Sequence, residues 1–104
     1  MMISIVDNDI SICKDDECYL LFYFTAKWCG PCQRIKPLLQ KISEGADPLK
    51  LKVFMVDIDD NEDLATKFKI KNVPSFFLYQ QKEMIGQTSG ADIKKVHELL
   101  KKME

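Results

Sequence analysis

Apolar residues fall in blocks along the chain, and their spacing changes from block to block. Ile3-Ser4-Ile5-Val6 reads as a short strand. Asn8 to about Cys13 is predicted to make one or two helical turns, with Asp7 or Asn8 as a cap. Lys14-Asp15-Asp16-Glu17 then reads as a solvated connection. Tyr19-Leu20-Leu21-Phe22-Tyr23-Phe24 is continuously apolar, too short for a typical helix and bounded by polar residues. It is expected to be a strand buried on both faces. Thr25 to Trp28 forms a loop. Ile35, Leu38, Leu39 and Ile42 recur at helical spacing, which predicts a helix from Cys29 or Gly30 to about Glu44, kinked at Pro37 and capped by Gly45. Leu51 to Ile58 reads as a second central strand. Asp60 or Asn61 is placed to cap a helix through Phe68, with Leu64, Ala65 and Phe68 inward. Ser75 to Tyr79 and Met84 to Gln87 predict an antiparallel hairpin. A last helix is expected from about Asp92 to Lys102, with Ile93, Val96, Leu100 and Met103 on one stripe and Asp92 at its N-terminus.

The resulting order is β-α-β-α-β-α-β-β-α. Alternation in the first half demands right-handed parallel crossovers, and the hairpin adds antiparallel strands at an edge. The expected architecture is an α/β fold, a three-layer α/β/α sandwich with a mixed central sheet. The 104 residues suit one domain, here 1–104, with no repeat or linker. An apolar fraction of 46% and balanced charge exclude a disordered chain, and a net charge of −1 argues against a nucleic-acid binder. No apolar run approaches the roughly 18 residues that span a membrane. The start, Met1 to Val6, has no basic region, long apolar stretch or cleavage site, so it does not read as a secretory signal, and a reducing cytoplasmic location is expected. The four cysteines are too few for a disulfide scaffold. In that compartment cysteines are more often catalytic or metal-binding than structural.

The chemistry concentrates in Trp28-Cys29-Gly30-Pro31-Cys32, set between the buried strand and the amphipathic helix. Cys29 would stand at the helix N-terminus, where free N–H groups and the dipole favour an anion and lower a thiol pKa. Cys32 lies about one turn on, close enough to close a small disulfide ring. Pro31 suits a first helical turn, since it lacks an N–H and has a fixed φ. Two alternatives stand beside this reading. The pair is inert core packing, or Cys13, Cys18, Cys29 and Cys32 are the four thiols of a structural zinc site. The second would require the apolar run from Tyr19 to Phe24 to serve as core strand and zinc loop at once, and no metal is expected.

At these residues the chain resembles the thioredoxin family. The likeness covers about Ile3 to Met103 and rests on Ala26, Trp28-Cys29-Gly30-Pro31-Cys32, Pro37, Asp57 to Asp59, Val73-Pro74-Ser75 and Gly90-Ala91. It implies a thioredoxin-like sandwich and a thiol–disulfide oxidoreductase that reduces protein disulfides, with Cys29 as nucleophile and Cys32 as resolving thiol. It implies a cis bond between Val73 and Pro74, and backbone hydrogen bonding of an extended client by Val73. Trp28, Gly30, Pro31, Pro74, Gly90 and Ala91 would form the apolar contact surface around Cys29. No bound cofactor is implied. Electrons would come from an NADPH-dependent reductase of the thioredoxin-reductase kind, the other partners would be disulfide-containing clients, and a monomer is expected.

The chain departs from the family in its buried charges. Tyr23 stands where thioredoxins carry a buried Asp, and Met55 where the facing Lys falls. The double change is self-consistent, because losing one partner alone would strand a buried charge. Tyr23 thus marks the proton-transfer position for Cys32 with the usual acceptor missing, which predicts slower resolution and a less reducing potential. The alternative is that Tyr23 is core packing and a water moves the proton. Gln80-Gln81-Lys82-Glu83 lacks the family's Gly and predicts a longer or different turn, and a shortened N-terminal region predicts a trimmed first helix. Cys13 and Cys18 read as free thiols or a second disulfide. His97 and the Lys94-Lys95 and Lys101-Lys102 pairs read as surface. Asp57, Asp59, Asp60, Glu62 and Asp63 read as strand-end and cap chemistry, or as a docking patch for a basic partner.

Two other function classes are weighed against the reductase. One is a thioredoxin-fold adaptor subunit with weak redox activity, which would have no need of both thiols. The other is an oxidant or isomerase of an oxidising compartment, against which the Gly-Pro dipeptide and the absence of an export signal count.

Overall fold

The computed structural model describes residues 2–13 and 17–104. Among them the chain runs β1 (Met2–Ile5), β2 (Tyr19–Thr25), α1 (Gly30–Gly45), β3 (Leu51–Asp57), α2 (Glu62–Lys67), β4 (Ser75–Gln80), β5 (Glu83–Ser89) and α3 (Ile93–Leu100). The expected connection at Lys14, Asp15 and Asp16 lies outside the described residues. The strands form one mixed sheet in the order β1-β3-β2-β4-β5. β1 and β2 both pair with β3 in parallel, while β4 runs antiparallel to β2 and β5 antiparallel to β4.

β2 sits at the centre, and every one of its residues is buried, as its unbroken apolar run predicts. Alternation along the strand divides the core. Tyr19, Leu21 and Tyr23 pack with Ile35 and Leu39 of α1 and with Val96 and Leu99 of α3. Leu20, Phe22 and Phe24 face the other way, onto Leu64 of α2 and Phe68. Each large side chain so buried contributes roughly 1.5–3 kcal/mol relative to exposure, which makes β2 the anchor on which both helical layers rest. Register sets Tyr23 between Met55 of β3 and Phe76 of β4.

Four local expectations are corrected. Residues 8–13 form turns and no helix. Asp7 and Asn8 both adopt left-handed backbone, φ 51° and 57°, which no helical turn accommodates. The cap of α2 comes from far away in sequence. Asn61 holds the N-cap position, but its side chain makes no capping bond. It is fully buried, where it donates to Ile5 O and Asp57 O, both at 3.0 Å, and accepts from the Asn8 N–H at 2.8 Å. The Asn8 Oδ1 in turn accepts from the Leu64 N–H at 3.0 Å and caps α2 in its place.

Gly45 is the last residue of α1, and the cap is Ala46, whose N–H bonds Ser43 O. Pro37 lies within the helix without ending it. The hairpin turn is short, since only Gln81 and Lys82 separate β4 from β5. Both are left-handed, φ 52° and 66°, which is the twist-matched geometry of a two-residue turn, adopted here without glycine. In α3 the buried stripe includes Leu99 beside Val96. Gly86 of β5 lets that helix approach, because a Cβ there would stand 2.8 Å from Leu99 Cδ1.

Candidate active site

β2 ends at Thr25 and the chain crosses the sheet's C-terminal edge before α1 begins, so the loop carrying Trp28 and Cys29 lies where an open α/β sheet binds its ligands. Ala26 is fully buried, and its carbonyl accepts both the Cys29 N–H (3.2 Å) and the Gln33 side-chain amide (2.9 Å). These bonds pin the loop to the first turn of α1. Cys29 is the N-cap residue, with extended backbone (φ −89°, ψ 105°). Its Sγ accepts the Cys32 N–H at 3.2 Å, so the sulfur takes the role an Asp or Ser oxygen plays at other helix starts.

Cys29 and Cys32 form a disulfide, with Cα atoms 5.2 Å apart. The two sulfurs are not equivalent. Cys29 is 6% exposed, Cys32 not at all. Cys29 is therefore the sulfur a second protein can reach. No acidic residue stands in the first turn of α1, so the positive end of the helix acts on Cys29 without an opposing carboxylate there. Pro31 lies in that turn, where its missing N–H costs nothing.

Of the remaining predicted residues, Val73 is brought against this disulfide. Val73-Pro74 is a cis peptide, and Val73 O lies 3.7 Å from Cys29 Sγ. Ser75 holds the approach to it by donating to Asn72 O at 2.7 Å. Gly90 is drawn alongside through its N–H to Pro74 O at 2.9 Å, with φ +96°, a conformation that favours glycine. Ala91 follows it on the surface. Trp28 is 68% exposed, and its indole N–H donates to Asp59 Oδ2 at 3.0 Å.

Two partners escape a reading of the sequence. Asp59 belongs to the acidic run read as strand-end chemistry, yet it orients Trp28, and its own N–H bonds Asp57 Oδ1 at 2.9 Å. The signal was available: β2 and β3 are parallel, so the residues just past both strands meet at one edge. Thr25 is the other. The Tyr23 hydroxyl lies 2.7 Å from Cys32 O and 3.1 Å from Thr25 Oγ1. A carbonyl only accepts, so the phenol donates to Cys32 and the threonine hydroxyl donates to the phenol. Burial pushes the Tyr23 phenol above its usual range.

The other cysteines stand apart. Cys18 is buried and Cys13 half-buried in the cluster on the α2 face, and neither is in a disulfide. Cys29 and Cys32 pack in a separate cluster with Ala26, flanked by Ile58 and Val73. Burial, with Asp9 nearby, pushes the Cys13 thiol up to about 11. His97 is exposed, and among the described residues no group of His, Cys, Asp or Glu is gathered as metal ligands.

A family model described as Thioredoxin matches residues 7–104. A thioredoxin of Ophiophagus hannah is 38% identical over 80 residues, covering 76% of this chain and 73% of that protein. One of Ictalurus punctatus is 39% identical over 69 residues, 66% of this chain and 64% of its own length, so that match spans less than two thirds of the relative. Among solved structures, the reduced Schistosoma mansoni thioredoxin pre-protein superposes with a TM-score of 0.88 at 33% identity, covering 99% of this chain and 98% of that one.

Proposed function

The chain belongs to the thioredoxin family, and from that premise we propose how its residues carry out protein-disulfide reduction. The chemistry is thiol–disulfide exchange at Cys29 and Cys32, and the observation that carries it is their disulfide at the N-cap of α1, with Cys29 the more exposed sulfur. In the reduced protein the Cys29 thiolate attacks one sulfur of a client disulfide. A Cys29–client bond forms as the client S–S bond breaks, and the other client sulfur leaves as thiolate. The Cys32 thiolate then attacks Cys29 Sγ, closing the ring and releasing the second client thiolate. Two electrons have passed to the client, and an NADPH-dependent reductase supplies another pair to reopen the Cys29–Cys32 disulfide.

Trp28, Gly30, Pro31, Val73, Pro74, Gly90 and Ala91 form the surface that receives the client, and the Val73 carbonyl beside Cys29 pairs with an extended client backbone. Tyr23, protonated because its burial disfavours the phenolate, fixes the Cys32 backbone, while solvent takes up and supplies the Cys32 proton. No cofactor is bound, and the clients are disulfide-containing proteins met by a cytoplasmic monomer. Among the described residues no helix is long and apolar enough to cross a membrane. Insulin reduction by dithiothreitol is the test. The intact protein accelerates it and Cys29→Ser does not; no acceleration by the intact protein would sink the reading.

A further inference from the structure

On the α2 face of the sheet cover is uneven: Phe24, Phe54 and Val56 are 0% exposed, whereas Leu20, Phe22 and Phe77 keep 6 to 8%. The cause is topological. A crossover between parallel strands usually carries a helix that covers the sheet, but among the described residues the β1–β2 crossover holds only turns. Beside the short α2 it leaves a groove of about 1200 Å³. Its floor is Leu20, Phe22, Phe68, Phe77 and Tyr79, and exposed apolar side chains of Ile10 and Met84 stand at its edges. The groove runs along the N-terminal half of β2, away from Cys29.

The rim has a sign. Lys67 and Lys69 line it on the α2 side and Lys82 on the hairpin side, all exposed, with Asp9 the lining residue of opposite charge. Lys69 stands in the left-handed turn that closes α2 and Lys82 in the hairpin turn, φ 55° and 66°. The chain as a whole carries −1, so this basic rim is local. A volume above the usual range for small-molecule pockets points to a segment of a macromolecule. An apolar floor between two basic margins fits a helix with one apolar face and acid on both flanks.

We propose that this groove is a docking site for an acidic amphipathic helix of a partner protein, which takes the place in the layer that a crossover helix would fill. The site is separate from the redox disulfide and recruits a partner without occupying Cys29.

The test uses the whole protein and two fluorescent helical peptides of roughly four turns. Both carry the same Leu/Phe stripe, flanked by Glu in one and Lys in the other. The acidic peptide is expected to bind about tenfold tighter at low salt, to lose that margin at high salt, and to shift the NMR signals of Phe22, Phe77 and Met84. Lys67→Glu/Lys69→Glu/Lys82→Glu should invert the preference while insulin reduction stays unchanged. Equal affinities, no binding, or shifts confined to the neighbourhood of Cys29 would overturn the proposal. So would displacement of the peptide by laurate, which assigns the groove to a lipid, or groove signals that move with protein concentration alone, which assign it to a second copy.

Discussion

The Tyr23 hydroxyl donates a 2.7 Å hydrogen bond to the Cys32 carbonyl, tying the central strand directly to the backbone of the resolving cysteine. The Tyr23 ring stacks on Phe76, with centroids 5.4 Å apart and planes at 11°, so packing holds the phenol where that bond needs it. Tyr23→Phe keeps the ring and removes the donor, leaving the Thr25 hydroxyl and the Cys32 carbonyl one partner short. The expected cost is about 1–2 kcal/mol, read as a lower urea midpoint with an unchanged m-value. Insulin reduction should survive. A loss on the order of a hundredfold would instead mean that the phenol moves a proton in catalysis.

With Met55 beside Tyr23 in the sheet register, neither strand supplies a charge at that pair. A carboxylate near Cys32 would disfavour the Cys29 thiolate, and with it the reduced form of the pair. Its replacement predicts a potential less reducing than that of a thioredoxin carrying a buried Asp at this position. Side-by-side titration against a glutathione couple measures the difference. An equal or lower potential would reject the argument.

Cys13 gives a pH dependence of its own. Its thiol is held up to about 11 against an ordinary value of 9.0, so between those limits the folded state keeps a proton that the unfolded chain gives up. Stability from this group is complete below pH 9 and drains away as pH rises towards about 11. With the Cys29–Cys32 disulfide closed, Cys13 should also alkylate far more slowly at pH 8 than a free thiol, and quicken steeply above pH 10. Mass spectrometry of iodoacetamide-treated protein reads this directly. Labelling at the free-thiol rate would contradict it.

Two glycines should respond in opposite directions. Gly45 closes α1 with open space around an added Cβ, so Gly45→Ala is expected to stabilise by about 0.5–1 kcal/mol. Gly86→Ala brings a Cβ to 2.8 Å from Leu99 Cδ1 and 3.2 Å from Lys102 Cδ. Leu99 is buried and cannot yield freely, so a loss of about 1–3 kcal/mol is expected. Thermal unfolding of both variants compares them, and a destabilised Gly45→Ala would show that the end of α1 needs glycine after all.

Much of the site was legible from residue order because β2, α1 and the Cys-Gly-Pro-Cys turn are local, and their periodicities agree with their tertiary roles. The cis Val73-Pro74 bond came only through resemblance, since few X-Pro bonds are cis and spacing does not mark them. Asp7 and Asn8 misled because Asx residues favour helix caps and left-handed turns for the same reason, a short side chain that bonds nearby backbone. Here one residue did both: Asn8 turns the chain after β1 and caps α2 by accepting from the Leu64 N–H, 56 residues along. The bonds of Tyr23 to Cys32 and of Trp28 to Asp59 depend on which strands lie side by side, which no local window contains.

That remote cap has a dynamic consequence. α2 is six residues long, too short to persist as an isolated helix, and its first turn is held by a side chain from the segment after β1. Opening of that segment therefore removes the capping oxygen from α2 and a partner from the buried Asn61 in one event. The two regions should exchange their amide hydrogens as a single cooperative unit, while β2 and α1, whose backbone bonds lie in the central sheet and the long helix, remain protected until the whole domain unfolds.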